Sequence, residues 1–323
     1  MFIPMTDVSM HLTAQDEQIH STFLQKIQIW IFALRAPFFT ASLVPLLLGM
    51  TIAYYETSSI DLILGLLTLV AGVSIHAGTN LINDYYDRST DDINIYYSQF
   101  NGGSRMIQND IIAPRKILQA SVLSYIVGSV TAIIILFLIQ GVLLIIFLSV
   151  AVLLGFFYTA LPVSLSYRGL GEIAVFVGFG PLGVFSAYYI QLGHINSSLL
   201  TIVSIPIAIL ISLVLFLNEF QDFEADATAG KNTLVVMLGK KKSVKIYSVG
   251  MILAYITLPL FVLLSWLPVI TLLPMITFPV AVKAVTHANG NYDKIKELLP
   301  ANGQTILIHF VFGLLLAVSF VIA

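Results

Sequence analysis

Cysteine is missing from this chain of 323 residues, tryptophan occurs twice, and charged side chains make up only 10%. Without cysteine there is no disulfide, no thiolate nucleophile and no zinc–thiolate centre. Soluble domains are about one quarter charged, so this scarcity excludes an ordinary soluble domain and excludes disorder. A net charge of −2 offers nucleic acid no basic surface. Apolar residues fill the space instead, at 58% of the chain and a mean hydropathy of +0.95. Such a chain belongs in a bilayer.

A membrane helix needs about 20 mostly apolar residues. The sequence predicts nine: 38–55, 60–82, 118–138, 141–159, 171–190, 200–217, 244–264, 266–284 and 304–323. The fold class expected is therefore all-α, a bundle of nine transmembrane helices around a central cavity. With nine crossings, all 15 Lys and Arg fall on one side. They precede span 1 (Lys26, Arg35) or lie in or beside the connections between spans 2 and 3, 4 and 5, 6 and 7, or 8 and 9. The links near Glu56, Gln140, His194 and Trp266 carry none. The positive-inside bias makes the basic side cytoplasmic, with the N-terminus inside and the C-terminus on the opposite side. Residues 1–20 are polar, with Asp7, Asp16 and Glu17, and do not read as a signal peptide. Residues 1–37 read as a cytoplasmic N-terminal segment and 38–323 as one domain. Phe23 to Leu34 reads equally as a lead-in helix on the inner surface or as the first turns of span 1.

Two cytoplasmic connections hold most of the acids. Span 2 runs out through NLINDYYDRSTDD and span 6 through FLNEFQDFEADATAGKNTL. Asn83, Asp87 and Asp91 match Asn218, Asp222 and Asp226, each pair 135 apart (218 − 83, for example). Asp84 and Glu224 add one acid to each copy. Four residues of α-helix turn about 400°, so each step moves a side chain only about 40° around the axis. Each triplet therefore lines one stripe, and an even number of crossings puts both stripes on one side. A pseudo-repeat of spans 1–4 and 5–8 would give this arrangement. Acids at a helix end are often merely solvated, but identical spacing in two copies argues for a shared device. Facing carboxylates repel unless a cation lies between them. An all-oxygen set without Cys or nearby His suits a hard cation, and sparse acids suit two Mg²⁺ bridging a diphosphate.

Direct positive partners for a diphosphate are also present. Arg105 follows Gly102 and Gly103, which allow close backbone approach. Arg168 lies between spans 4 and 5, and Lys231 follows the second stripe. Each is also readable as a topology-setting charge, as is the run Lys240, Lys241, Lys242, and Arg88 reads as a balance to the acids beside it. Tyr85, Tyr86, Phe156, Tyr158, Phe179, Tyr188 and Tyr189 are candidates to line an apolar pocket, where ring faces stabilise a carbocation. Core packing accounts for them equally well. His76 and Asn80 read as helix–helix hydrogen-bonding groups.

These residues resemble the UbiA superfamily of intramembrane prenyltransferases. Asn83-Asp84-x-x-Asp87-x-x-x-Asp91 matches its first motif and Asp222-x-x-x-Asp226 its second. RAPFFTASLVPLLLG and the stretch from Tyr158-Thr159 to Arg168-Gly169-Leu170-Gly171-Glu172 extend the likeness over most of the chain. Gly102-Gly103-x-Arg105 and Gly230-Lys231-x-Thr233-Leu234 look most like the dihydroxynaphthoate polyprenyltransferases of menaquinone synthesis. Gln221 and Asn109 depart from that branch, which often has Arg and Gly there. The resemblance implies Mg²⁺ dependence, a polyprenyl diphosphate donor, an aromatic acceptor and a cytoplasmic-side site open to lipid. Asp84, Asp87, Asp91, Asp222 and Asp226 are then the expected metal ligands. Asn83, Asn218 and Tyr158 are expected to bind substrate, and Arg105, Arg168 and Lys231 to bind and neutralise the leaving diphosphate. Acceptors other than the naphthoate remain open. A cation-coupled transporter is the rival reading, although transport favours acids near the bilayer midplane. The Asp-Gly and Ala-Arg signature of CDP-alcohol phosphatidyltransferases is absent from both acidic stretches.

Overall fold

The computed structural model describes residues 23–323; the polar segment ahead of them lies outside the described residues. The fold is all-α. A lead-in helix, α1 (Phe23–Ala33), is followed by α2 (Thr40–Thr57), α3 (Leu62–Tyr86), α4 (Pro114–Ile139) and α5 (Leu143–Phe157). Then come α6 (Gly171–Leu192), α7 (Leu199–Thr228), α8 (Lys240–Leu263), α9 (Phe278–Asn291) and α10 (Ile295–Ile322). The alternative left open at the N-terminus resolves in favour of a separate lead-in helix. Arg35 is left-handed at φ 52, and Pro37 cannot continue a helix through that turn.

Among the described residues, eight helices are long and apolar enough to cross a bilayer. The fourth predicted span, 141–159, is only the 15-residue α5. At 1.5 Å per residue that is about 22 Å, less than the hydrocarbon core. Left-handed Gln140 and the turn Tyr158–Ala160 cut it short. The span predicted over 266–284 is also composite, a 3-10 stretch Val269–Thr277 feeding α9. The protein is thus a multi-pass membrane protein, with nine bundle helices among the described residues, one of them short.

Burial sorts the helices. The most apolar window of α7 is 61% buried and that of α4 only 22%, so the second acidic stripe rides on the central helix. On α4, Leu123, Ile126 and Phe137 face outward, where lipid tails replace water and no hydrophobic penalty applies. Helix α2 packs on α6 and α10, α3 on α4, and α7 on α8 and α10. Leu48, Val184, Leu210, Phe216, Tyr247 and Phe312 occupy the shared core.

Two local features set the course and packing of α6. Helix α6 widens into a π turn over Gly178–Leu182, where Pro181 lacks the N–H that a regular turn needs. Gly49 lets α2 and α6 touch: a Cβ there would lie 2.2 Å from the Val184 carbonyl oxygen. Substituting Gly49→Ala is expected to cost about 1–3 kcal/mol through overpacking. A lowered thermal midpoint of detergent-solubilised protein would report this, and an unchanged midpoint would refute it.

Candidate active site

The two acidic stripes meet. In α7 the helix runs unbroken through Asn218, Asp222 and Asp226. On the first copy α3 ends at Tyr86, and Asp87 begins a short helix, Arg88–Asp92. The register survives the break, because Asp87 N–H bonds Asn83 C=O and Asp91 N–H bonds Asp87 C=O, both at 2.8 Å. Asn83, Asp87, Asp91, Asn218, Asp222 and Asp226 therefore line one cavity of about 180 Å³, together with Arg35, Tyr158, Glu219 and Lys231.

Lys231 holds the two stripes together. Its Nζ lies 3.0 Å from Asp87 Oδ2 and 3.6 Å from Asp226 Oδ1, and both acids are buried. Asp87 also accepts from Tyr167 Oη at 2.8 Å and Asn83 Nδ2 at 3.2 Å. Burial works against the Lys231 charge, but Asp87 and Asp226 outweigh it and keep its pKa well above the usual lysine range. Burial, and then the charges of Asp87 and Asp84, hold Asp91 well above the usual carboxylate range. Burial and Asp87 push the Tyr167 hydroxyl up to about 12. Acids are in excess here, with five carboxyl groups (Asp87, Asp91, Glu219, Asp222 and Asp226) against one lysine and one arginine on the wall.

That excess fits a hard cation. The donors are carboxylate and carboxamide oxygens, and no three His, Cys, Asp or Glu among the described residues form a ready-made cage. Mg²⁺ asks for no such cage, since it is held by one or two carboxylates with water and phosphate oxygens completing its shell.

Other expected site residues lie elsewhere. Asp84 is buried but off the cavity wall, its carboxylate accepting the Ser104 N–H at 3.2 Å. Arg105 is half-buried and off the cavity wall, donating to the Asp91 backbone carbonyl and stacking over Tyr97 at 4.3 Å. Arg168 is exposed and donates to the Pro162 carbonyl at 2.9 Å. It sits on the 3-10 turn Leu165–Arg168, where successive side chains are about 120° apart. Inward-facing Tyr167 therefore sends Arg168 out. Glu224 is likewise exposed and pairs with Lys240 at 3.7 Å. Arg88 bonds the Tyr85 carbonyl and stacks on its ring at 4.8 Å, away from the cavity.

Several site residues escaped the sequence reading. Arg35 reads from sequence as a charge ahead of span 1 and as part of the RAPFFTASLVPLLLG resemblance, with no site role, yet it lines the cavity. Tyr167 was passed over beside Arg168. Asn302 of α10 is fully buried, donating to Asn218 Oδ1 at 2.8 Å and accepting from Gln221 Nε2 at 2.9 Å. Its carboxamide lies just ahead of the last predicted span, 304–323, and the helix that buries it begins earlier, at Ile295. His76 and Asn80 do bond other segments, to Ser42 Oγ at 2.6 Å and to the Leu34 carbonyl at 3.0 Å.

A second, apolar cavity of about 150 Å³ adjoins the first and shares His76, Thr79, Tyr158, Val175 and Phe179 with it. Of the aromatic candidates, Tyr158 and Phe179 line both cavities, whereas Tyr188 and Tyr189 belong to the core.

A bundle of membrane helices with two acidic stripes converging on one cavity defines a class, and the chain belongs to it: residues 42–321 match the UbiA prenyltransferase family. It is a prenyl-transferring enzyme. Among individual relatives, it is 30% identical over 296 residues to UbiA prenyltransferase domain-containing protein 1 of Danio rerio, covering 90% of this chain and 85% of that one. It is 28% identical over 295 residues to 2-carboxy-1,4-naphthoquinone phytyltransferase of Synechocystis, covering 91% and 93%. The fold matches a UbiA homologue from Aeropyrum pernix at a TM-score of 0.65 and 14% identity, over 88% and 97% of the chains. It matches a UbiA homologue from Archaeoglobus fulgidus, bound to DMAPP and Mg²⁺, at 0.61 and 16% identity, over 88% and 98%.

Replacing Lys231 by Met leaves Asp87 and Asp226 buried without their cation. Without divalent metal this is expected to cost about 3–5 kcal/mol of stability. The loss should shrink as pH falls, because protonated acids no longer need the ammonium. Thermal unfolding in detergent at pH 8 and pH 5 measures both effects; a pH-independent loss would mean that packing, not charge, is the cause.

Proposed function

We propose that the protein transfers a polyprenyl group from an allylic polyprenyl diphosphate to an aromatic acceptor, with 1,4-dihydroxy-2-naphthoate, the precursor in menaquinone synthesis, as the acceptor. The observation that carries this reading is the pair of adjoining cavities, one charged and one apolar. A diphosphate suits the first and an isoprenoid chain the second. The Synechocystis relative is named for a naphthoquinone substrate, and the Archaeoglobus fulgidus homologue holds a prenyl diphosphate with Mg²⁺. These support the donor and acceptor proposed here.

Asp87, Asp91, Asp222 and Asp226 would hold Mg²⁺, with Asp84 behind them bonded to the Ser104 N–H. The metal, when bound, supplies Lewis-acid stabilisation of the leaving diphosphate. Lys231 and Arg35 offset the charge that develops on it, and the carboxamides of Asn83 and Asn218 orient it. Arg105 supports the site through the Asp91 backbone, and Arg168 lies too far out to touch substrate. Tyr158 and Phe179 line the passage between cavities, where their ring faces stabilise positive charge on the allyl group. Membrane helices around this passage keep water from quenching it. We place the site at the cytoplasmic face, with the N-terminus inside and the C-terminus outside, because every Lys and Arg segregates to that side of the predicted spans.

Purified protein, Mg²⁺, a labelled polyprenyl diphosphate and a panel of aromatic acceptors test this directly. Transfer to the naphthoate and not to hydroxybenzoate is the expected result; flux across liposomes without diphosphate release would favour a transporter instead. Asp87→Ala and Asp222→Ala should each lower turnover at least about 100-fold, with membrane insertion intact. Arg168→Ala should stay within about threefold of wild type, since an exposed charge is screened. A large loss for Arg168→Ala would return that residue to the site.

A further inference from the structure

The loop 93–105 crosses from the first acidic stripe to the second. Asn94 Nδ2 and Asn101 Nδ2 both donate to Asp222 Oδ1, at 2.6 and 2.5 Å. Both asparagines are buried, at 3% and 2% exposure, and neither amide reaches Oδ2.

Their orientation is fixed from within the loop. Asn94 Oδ1 accepts the Tyr96 N–H at 2.9 Å, and Asn101 Oδ1 accepts from Ser98 Oγ at 2.5 Å. Ser98 Oγ in turn accepts the Phe100 N–H at 3.1 Å. With each carboxamide oxygen engaged, the NH₂ end is the end left to point at Asp222. The same loop gives the Ser104 N–H to Asp84 and the Arg105 guanidinium to the Asp91 carbonyl. It passes Asp91 so closely that a Cβ on Gly103, at φ 71, would lie 2.3 Å from Asp91 Oδ2.

We propose that Asn94 and Asn101 are positioning residues for Asp222: they saturate Oδ1, fix the carboxylate plane and leave Oδ2 as the oxygen offered to metal. This rests on the Mg²⁺–diphosphate reading of the site. Hydrogen bonds to a ligating carboxylate set its orientation, and their loss typically weakens metal binding 10–100-fold. Because one loop touches acids of both stripes, metal binding and loop closure stabilise each other by the same factor.

The test uses the full chain in detergent, with calorimetric titration of MgCl₂ in the presence of inorganic pyrophosphate. Trypsin cleavage after Arg105 serves as a second readout, since a closed loop resists it. Asn94→Ala and Asn101→Ala should each weaken Mg²⁺ binding about 10-fold or more. They should also speed cleavage and abolish its slowing by Mg²⁺. Asn101→Asp, equal in size but anionic, should be worse than Asn101→Ala. If an alanine variant loses its monodisperse form, the corresponding serine variant takes its place with the same expectation. Wild-type Mg²⁺ affinity in the variants, or equal effects of Ala and Asp at position 101, would overturn the proposal alone. Absence of Mg²⁺–pyrophosphate binding in the wild type would overturn the underlying reading of the site, and the proposal with it.

Discussion

One ammonium group joins the two acidic stripes. Lys231 sits between Asp87 at the end of α3 and Asp226 near the end of α7, two buried carboxylates that would otherwise repel. Because α7 is the most enclosed helix of the bundle, this ion pair ties the centre of the fold to the first stripe. Tyr167 and Asn83 complete the hydrogen bonding of Asp87, so the anion is not left unsatisfied in a low-dielectric setting.

One positive charge between two acids still leaves Asp91 and Asp222 on the wall. The protein handles Asp222 with neutral donors and Asp91 with burial. Neutral donors leave the Asp222 charge in place, and burial makes the Asp91 anion costly until a cation shares the cavity, so the site favours binding one. That preference coincides with a neighbouring apolar chamber sharing five wall residues. The adjacency of charged and apolar space is what the proposed donor would need, a diphosphate held beside a shielded hydrocarbon chain.

Much of the site was legible because the two acidic triplets share one spacing. Helical period alone sets Asn218, Asp222 and Asp226 on one face, and the prediction holds even where α3 breaks at Asp87, since the i to i+4 bonds continue across the break. Basic residues were less legible. Arg105, Arg168 and Lys231 were equal candidates by position, yet only Lys231 lines the cavity. A one-residue shift on a 3-10 turn sent Tyr167 in and Arg168 out, and no pattern in the sequence records that rotation. Hydropathy also overstates the length of α5, predicted over 141–159 and observed as Leu143–Phe157, because it measures apolar runs and not where backbone geometry ends the helix.

The sequence by itself determined the solvent, the all-helical class, the positions of most spans and the residues of the two acidic stripes. These follow from local quantities: apolar run length against bilayer thickness, and side-chain spacing against 3.6 residues per turn. Tertiary structure alone decided that Lys231 bridges the stripes, that Asn94, Asn101 and Asn302 serve buried polar groups, and that Arg35 joins the wall. Those choices depend on partners 84–144 residues away, or on turns whose direction is set by packing. Spacing along a chain fixes which side chains share a face, but not what that face meets.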